Sequence, residues 1–174
     1  MTATRGTSPD PLVLIIDVQE KRPLTFGGSV RTVRKHLKTG DYSVEGYEDQ
    51  FTVERKSIPD LIATLTARRA RFERELQRMA GIGFRRVVVE GSLRQVVANA
   101  KRVEQDRRRR VRVNSIIGTI FAFEVRYGVP FVFAANGPGE AAWRVEKWAR
   151  YFVRERRIRE AAVLSPAPSP YEVD

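Results

Sequence analysis

Residues 40–60 read GDYSVEGYEDQFTVERKSIPD, and the periodicity of this stretch decides the architecture. Asp41–Glu45 and Phe51–Lys56 alternate polar and apolar side chains on either side of Gly46–Gln50, the pattern of a hairpin with a longer loop. Paired symmetrically about Glu48 and Asp49, the arms set Asp41 opposite Lys56 and Ser43 opposite Glu54. Opposed residues and residues two apart share a face. Asp41, Ser43, Glu54 and Lys56 therefore project one way, and Tyr42, Val44, Phe51 and Val53 project into a core. Ser57-Ile58-Pro59-Asp60 then reads as a helix start, with Ser57 as N-cap, Pro59 in the first turn and Asp60 completing a capping box.

Outward from the hairpin, strands and helices alternate. Leu12–Asp17 is an apolar run ending in a carboxylate, as in a buried strand. Leu61, Leu65, Phe72, Leu76 and Met79 continue the helix opened at Ser57 until Gly81 and Gly83 stop it. Arg86–Glu90 is a further strand, and Ser92 caps a short helix. Helices follow over Asn114–Tyr127 and Glu140–Arg156, with the strand Pro130–Ala134 between them. This order predicts a single α/β domain around one central mixed sheet flanked by helices, over residues 11–162. Residues 1–10 read as a disordered tail without the apolar stretch of a signal peptide, and 163–174 as a Pro-rich disordered tail. The protein is thus expected to be cytoplasmic and not secreted. No apolar run approaches the roughly 20 residues of a membrane helix, so no membrane partner is expected.

The 174 residues include 32 Lys+Arg against 21 Asp+Glu, a net charge of +11, and 42% are hydrophobic. That excludes a chain disordered throughout and points to an anionic partner, nucleic acid first. With no cysteine and one histidine, His36, disulfides, thiolate metal sites and multi-imidazole centres are excluded. Carboxylate chemistry remains. Asp41 and Glu54 offer hard oxygen ligands of the kind Mg²⁺ or Mn²⁺ takes. Asp17 and Glu20 could add further ligands. Such a cation neutralises phosphodiester charge and activates water, while Lys56 orients the nucleophile and stabilises growing negative charge.

Gly40-Asp41 followed by Glu54-Arg55-Lys56 and Asp60 resembles the G-D-x(n)-E-R-K-x-x-x-D signature of the XPF-type structure-specific endonucleases, a branch of the PD-(D/E)xK, restriction-endonuclease-like superfamily. The resemblance extends over VERKSIPDLIATL, the upstream Asp17 and Glu20, Arg71–Leu76 and Val87–Gly91. It implies a restriction-endonuclease-like fold and a Mg²⁺- or Mn²⁺-dependent DNA endonuclease. Asp41, Glu54 and Lys56 would be catalytic, and Asp17, Glu20, Asp41 and Glu54 would be metal ligands. Arg55, turned to the apolar side by the hairpin register, and Asp60 would support the site from behind. Branched or single-strand/double-strand junction DNA is the implied substrate. Repair, recombination or replication is the implied setting, with association to the nucleoid. The alternative is a non-catalytic DNA-binding or scaffolding subunit of the same fold. Where the family shows D-x-R-E after the first strand, this chain has Asp17-Val18-Gln19-Glu20.

Arg68 and Arg71, beside the motif, and the run Arg107, Arg108, Arg109 and Arg110 are candidate DNA contacts. Glu73 and Glu75 would pair with part of the arginines on their helix. His36, among Arg34, Lys35 and Lys38, reads as a surface residue rather than a base. The last two helices carry Ile116, Ile117, Ile120, Phe121, Val145, Trp148, Phe152 and Val153, more than one sheet face needs. The family commonly dimerises there, so a homodimer through these helices is expected. Trp143 and Tyr151 suit either that interface or stacking on an unpaired base.

Overall fold

The structure, a computed structural model, describes residues 11–105 and 112–164. The expected N-terminal tail, the Arg107–Arg110 run and residues 165–174 lie outside the described residues.

Six strands form one mixed sheet in the order β2-β1-β3-β4-β5-β6. They are β1 (Leu12–Asp17), β2 (Val30–Lys35), β3 (Tyr42–Val44), β4 (Phe51–Ser57), β5 (Phe84–Glu90) and β6 (Phe131–Phe133). β3 is antiparallel to β1 and β4; the pairs β1·β2, β4·β5 and β5·β6 are parallel. Helices α1 (Ile58–Leu65), α2 (Arg69–Ala80), α3 (Leu93–Gln105) and α4 (Val113–Tyr127) cover one face, where Leu61, Phe72, Leu76, Val87, Val89, Ile120 and Phe123 form a buried cluster. The other face packs on α5 (Pro138–Leu164) through Leu14, Tyr42, Val44, Phe51, Val53, Val88, Val145 and Ala149. Among the described residues no helix is long and apolar enough to cross a membrane.

Four sequence expectations change in detail. The helix from Ser57 to Gly81 is two helices. Thr66 turns its hydroxyl back onto the Ile62 carbonyl at 2.7 Å, and the Arg68 amide reaches the Ala63 carbonyl, one residue beyond helical spacing. The helix capped by Ser92 is not short, running from Leu93 to Gln105, and α5 continues past Arg156 to Leu164. β2 was not foreseen: Val30–Lys35 carries three cations in six residues, as an edge strand exposed to water can. Last, the hairpin pairs Tyr42 with Val53, which puts Asp41 opposite Glu54 rather than Lys56. Glu45 leaves β4 and donates to the Val13 carbonyl of β1 at 3.1 Å, so the loop is not centred on Glu48 and Asp49. The slip is two residues, and the side-chain period is two, so every residue keeps its expected face.

Candidate active site

The crossing of β3 and β4 brings the signature residues together. Gly40, at φ +78°, lies so close to β4 that a Cβ there would sit 2.1 Å from Thr52 Oγ1 and 3.2 Å from the Val53 carbonyl oxygen. Any other side chain would push Asp41 away from β4. Asp41 is instead clamped: its amide donates to Val53 O at 2.9 Å, its carbonyl accepts from the Asp17 amide at 2.8 Å, and its carboxylate accepts the Arg55 amide at 2.7 Å. Glu54 is buried beside it and accepts from Lys56 Nζ. The ammonium also lies 5.1 Å from the centre of the Phe72 ring.

Two neighbouring carboxylates, one buried and one half-buried, resist ionisation. Burial raises the Asp41 carboxyl from 3.8 to about 6, against the opposing pull of the Arg55 amide and Lys56. Burial, and then the Asp41 charge, push Glu54 well above the ordinary carboxylate range. For Lys56 burial acts downward, but the adjoining Glu54 outweighs it and holds the ammonium above its usual range. A cation beside the pair would offset both effects, and hard oxygen donors fit a divalent ion. Among the described residues no three acidic or imidazole groups form a ready-made cage. An ion held by Asp41 and Glu54 would complete its shell with water and phosphate oxygens, as Mg²⁺ does.

The other candidates surround this pair. Asp17 lines the same cleft, but its Oδ1 accepts the Gln19 amide at 2.7 Å and its Oδ2 the Leu37 amide at 2.6 Å, so it shapes the turns on both sides. His36 stands 3.7 Å from the same carboxylate at the exposed mouth. Arg55 crosses to the α5 face of the sheet. There its Nε bonds Glu90 at 2.6 Å, and its Nη1 reaches the Arg22 carbonyl and Glu20 at 3.4 Å. Glu20 is thereby tied to Arg55 rather than joined to the Asp41–Glu54 pair. Asp60 caps α1 with Ser57, accepting from its hydroxyl at 2.7 Å and donating its amide at 3.3 Å. Gln19 lines the cleft where the family carries arginine.

The cleft encloses about 360 Å³ between α2 and residues 36–41, and Arg68, Arg71 and Arg78 line its wall with Lys38 at its lip. A second arm of about 540 Å³ leads past Glu20, Lys21, Arg22 and Asp60, and the two arms meet at Asp41, Glu54 and Lys56. One acid in the cleft was missed. Glu73 pairs with Arg69 at 3.6 Å and Arg126 at 3.4 Å, but Glu75 makes no ion pair among the described residues and faces the cleft. Its charge acts on Asp41, Glu54 and Lys56 together. The usable signal was its spacing of three from Phe72, the ring beneath Lys56.

This fold and site define a nuclease domain of the restriction-endonuclease-like kind. The family described as "ERCC4 domain" matches residues 17–143, and the chain belongs to it. Among solved structures, XPF from Aeropyrum pernix is similar at 25% identity and TM-score 0.60, covering 87% of this chain and 71% of its own. XPF from the same organism in complex with DNA has the same fold at 23% identity and TM-score 0.59, covering 83% of this chain and 66% of its own. The search of curated proteins gave no match.

Proposed function

We propose that this chain is a Mg²⁺- or Mn²⁺-dependent DNA endonuclease acting on branched or single-strand/double-strand junction DNA, in repair, recombination or replication, inside the cell at the nucleoid. The observation that carries the reading is the pair of half-buried Asp41 and buried Glu54, with Lys56 beside it, at the meeting point of two arms lined by arginine. A strand can lie along both arms with one phosphodiester over the carboxylates, and a site open at both ends suits an internal cut.

Asp41 and Glu54 would hold the cation, with Asp17 and Glu20 acting on its outer waters; the bound ion would supply charge neutralisation and a more acidic water. The Arg55 amide holds the Asp41 carboxylate in place at 2.7 Å. Lys56, kept charged by Glu54, donates to the phosphate oxygen that gains negative charge and orients the attacking water. Water attacks phosphorus and releases a proton to solvent, the P–O bond to the leaving oxygen breaks, and the departing oxygen takes a proton from solvent. Arg68 and Arg71, exposed and without an acidic partner among the described residues, hold flanking phosphates.

We further infer a homodimer, with its interface narrowed to α4. The expected surplus has largely gone into the core: Ile116, Ile120 and Val145 are buried, and Trp148 and Phe152 pack against Phe84. What remains on α4 is an uncharged stripe of Gly118, Phe121, Ala122 and Val125, the last 87% exposed. A two-fold contact would bury it.

Labelled flap, fork, single-stranded and duplex DNA, each incubated with Mg²⁺, Mn²⁺ or EDTA, test the activity. Metal-dependent cleavage abolished in Asp41→Ala and Lys56→Ala is the expected result. Tight binding without cutting under any metal condition would establish the scaffolding alternative instead.

A further inference from the structure

The back of the molecule carries a second surface. Helix α5 packs its inner side on Tyr42, Phe51, Val53 and Val88, and so covers the sheet face opposite the cleft. Its outer side, at helical spacings of four, four, three and four, presents Trp143, Lys147, Tyr151, Arg154 and Ile158. Trp143 is 57% exposed, Tyr151 59% and Ile158 51%. Exposed indole and phenol rings at this density need an explanation, since neither supports the core.

The flanking arginines are satisfied: Arg144 pairs with Glu140 at 2.6 Å and Arg150 with Glu146 at 2.9 Å. Lys147 and Arg154, between and beyond the two rings, make no ion pair or hydrogen bond among the described residues. Rings alternate with unpaired cations along one line. The two rings are about 12 Å apart along the axis at 1.5 Å per residue. The family match ends at Trp143, so the rest of the stripe lies beyond the span that defines the family.

Two occupants could cover such a face, and charge separates them. A two-fold contact would bring together two copies of a stripe whose charged members, Lys147 and Arg154, are both cations with no acid among them, an unfavourable juxtaposition. The uncharged α4 stripe has no such conflict. A polyanion with unstacked bases matches both features, since phosphates meet the cations and bases stack on the rings.

We propose that the outer face of α5 is a binding site for single-stranded DNA, separate from the cleft. The choice of DNA over RNA rests on the proposed nuclease reading; the single-strand chemistry does not. An unpaired strand leaving the cleft would be retained behind the sheet, and an unpaired arm would be preferred over a closed duplex.

Binding of a short oligothymidine is measured in EDTA, where no cutting occurs, in an Arg68→Ala/Arg71→Ala background that weakens the cleft. Trp143→Ala/Tyr151→Ala should weaken binding at least about tenfold. Trp143→Phe should bind within about threefold of its parent, since a ring remains to stack. It should also abolish the fluorescence quench, because Trp148, the other of the two tryptophans, is half-buried. Lys147→Gln/Arg154→Gln should lower the salt slope by about 0.7 for each cation. Unchanged oligothymidine affinity in the double-ring variant overturns the site, and tighter binding of oligouridine overturns its assignment to DNA. Conversion of a dimer to a monomer by that variant overturns it too, making the face an interface between copies. Cleavage by the parent protein tests the nuclease reading separately, because the α5 result is obtained without metal.

Discussion

The backbone amide of Arg55 donates to the Asp41 carboxylate at 2.7 Å, while the Arg55 guanidinium grips Glu90 at 2.6 Å on the opposite face of the sheet. One residue thus fixes an acid of the site through its main chain and the supporting wall through its side chain. The loop after β1 hangs on the same guanidinium, by way of Glu20 and the Arg22 carbonyl. Arg55→Ala should therefore leave Asp41 clamped but free the loop and strand Glu90. The expected loss is about 2 to 4 kcal/mol, as when one partner of a largely buried charged network is removed. Thermal unfolding measures it, and Arg55→Lys should recover only a minor part, because an ammonium cannot reproduce the fork. Unchanged stability in Arg55→Ala would refute the role.

Asp41 also sets a pH dependence. Its folded-state carboxyl titrates near 6 against 3.8 when unfolded, so the native state binds the proton more tightly. The stabilisation from that proton is complete below 3.8 and is lost as pH rises through about 6. Glu54, raised by burial and by Asp41, acts in the same direction. Metal-free protein should lose stability between pH 4 and 7, with Asp41 contributing roughly 2 to 3 kcal/mol at about 1.4 kcal/mol per unit. Asp41→Asn should flatten that part of the profile and raise the metal-free melting temperature at pH 7. Mn²⁺ should stabilise the parent at pH 7 and have little effect on the variant. A melting temperature lowered by Asp41→Asn at pH 7 without metal would contradict the electrostatic account.

How far the sequence reached follows from which physics each feature obeys. Faces were legible because a strand's period is two, so Asp41, Ser43, Glu54 and Lys56 could be grouped without knowing the pairing. Register was not, because Glu45 bonds to β1, a strand distant in sequence, and shifts the hairpin by one pair. Ser57 and Asp60 announced α1 through chemistry local to four residues. The break at Thr66–Arg68 had no comparable signal, since leucines on both sides keep helical spacing. β2 escaped because the edge position that tolerates Arg31, Arg34 and Lys35 erases apolar alternation. Spacing alone makes Glu73 and Glu75 equal partners for arginine; only tertiary packing, which turns Glu73 to Arg126 of α4 and Glu75 to the cleft, distinguishes them.

Glu75 supplies a further prediction. With no ion pair among the described residues, its charge favours the protonated form of both Asp41 and Glu54 and strengthens the cleft's pull on a cation. Glu75→Gln should weaken Mn²⁺ binding about fivefold, corresponding to roughly 1 kcal/mol for a partly screened charge. It should also shift the Asp41-linked step in the pH–stability profile to lower pH. Calorimetric titration with Mn²⁺ measures the first and thermal scans the second. Equal Mn²⁺ affinity in parent and variant would leave Glu75 without a part in the site.

The cleft arginines can be told apart by salt. Arg69 is occupied by Glu73 and lies over the Phe123 ring at 5.2 Å, so it is part of the packing between α2 and α4. Arg68 and Arg71 line the cleft with no acid paired to them among the described residues. Each phosphate contact releases condensed counterions, so removing one cation should lower the slope of log affinity against log salt by about 0.9 on duplex DNA. Arg68→Ala and Arg71→Ala should each do so without altering thermal stability. Arg69→Ala should leave the slope unchanged and destabilise the fold, because it removes an ion pair and a ring contact in the packing between helices. If Arg69→Ala lowers the slope as much as Arg71→Ala does, the DNA path does not run along the wall of α2 that faces Asp41.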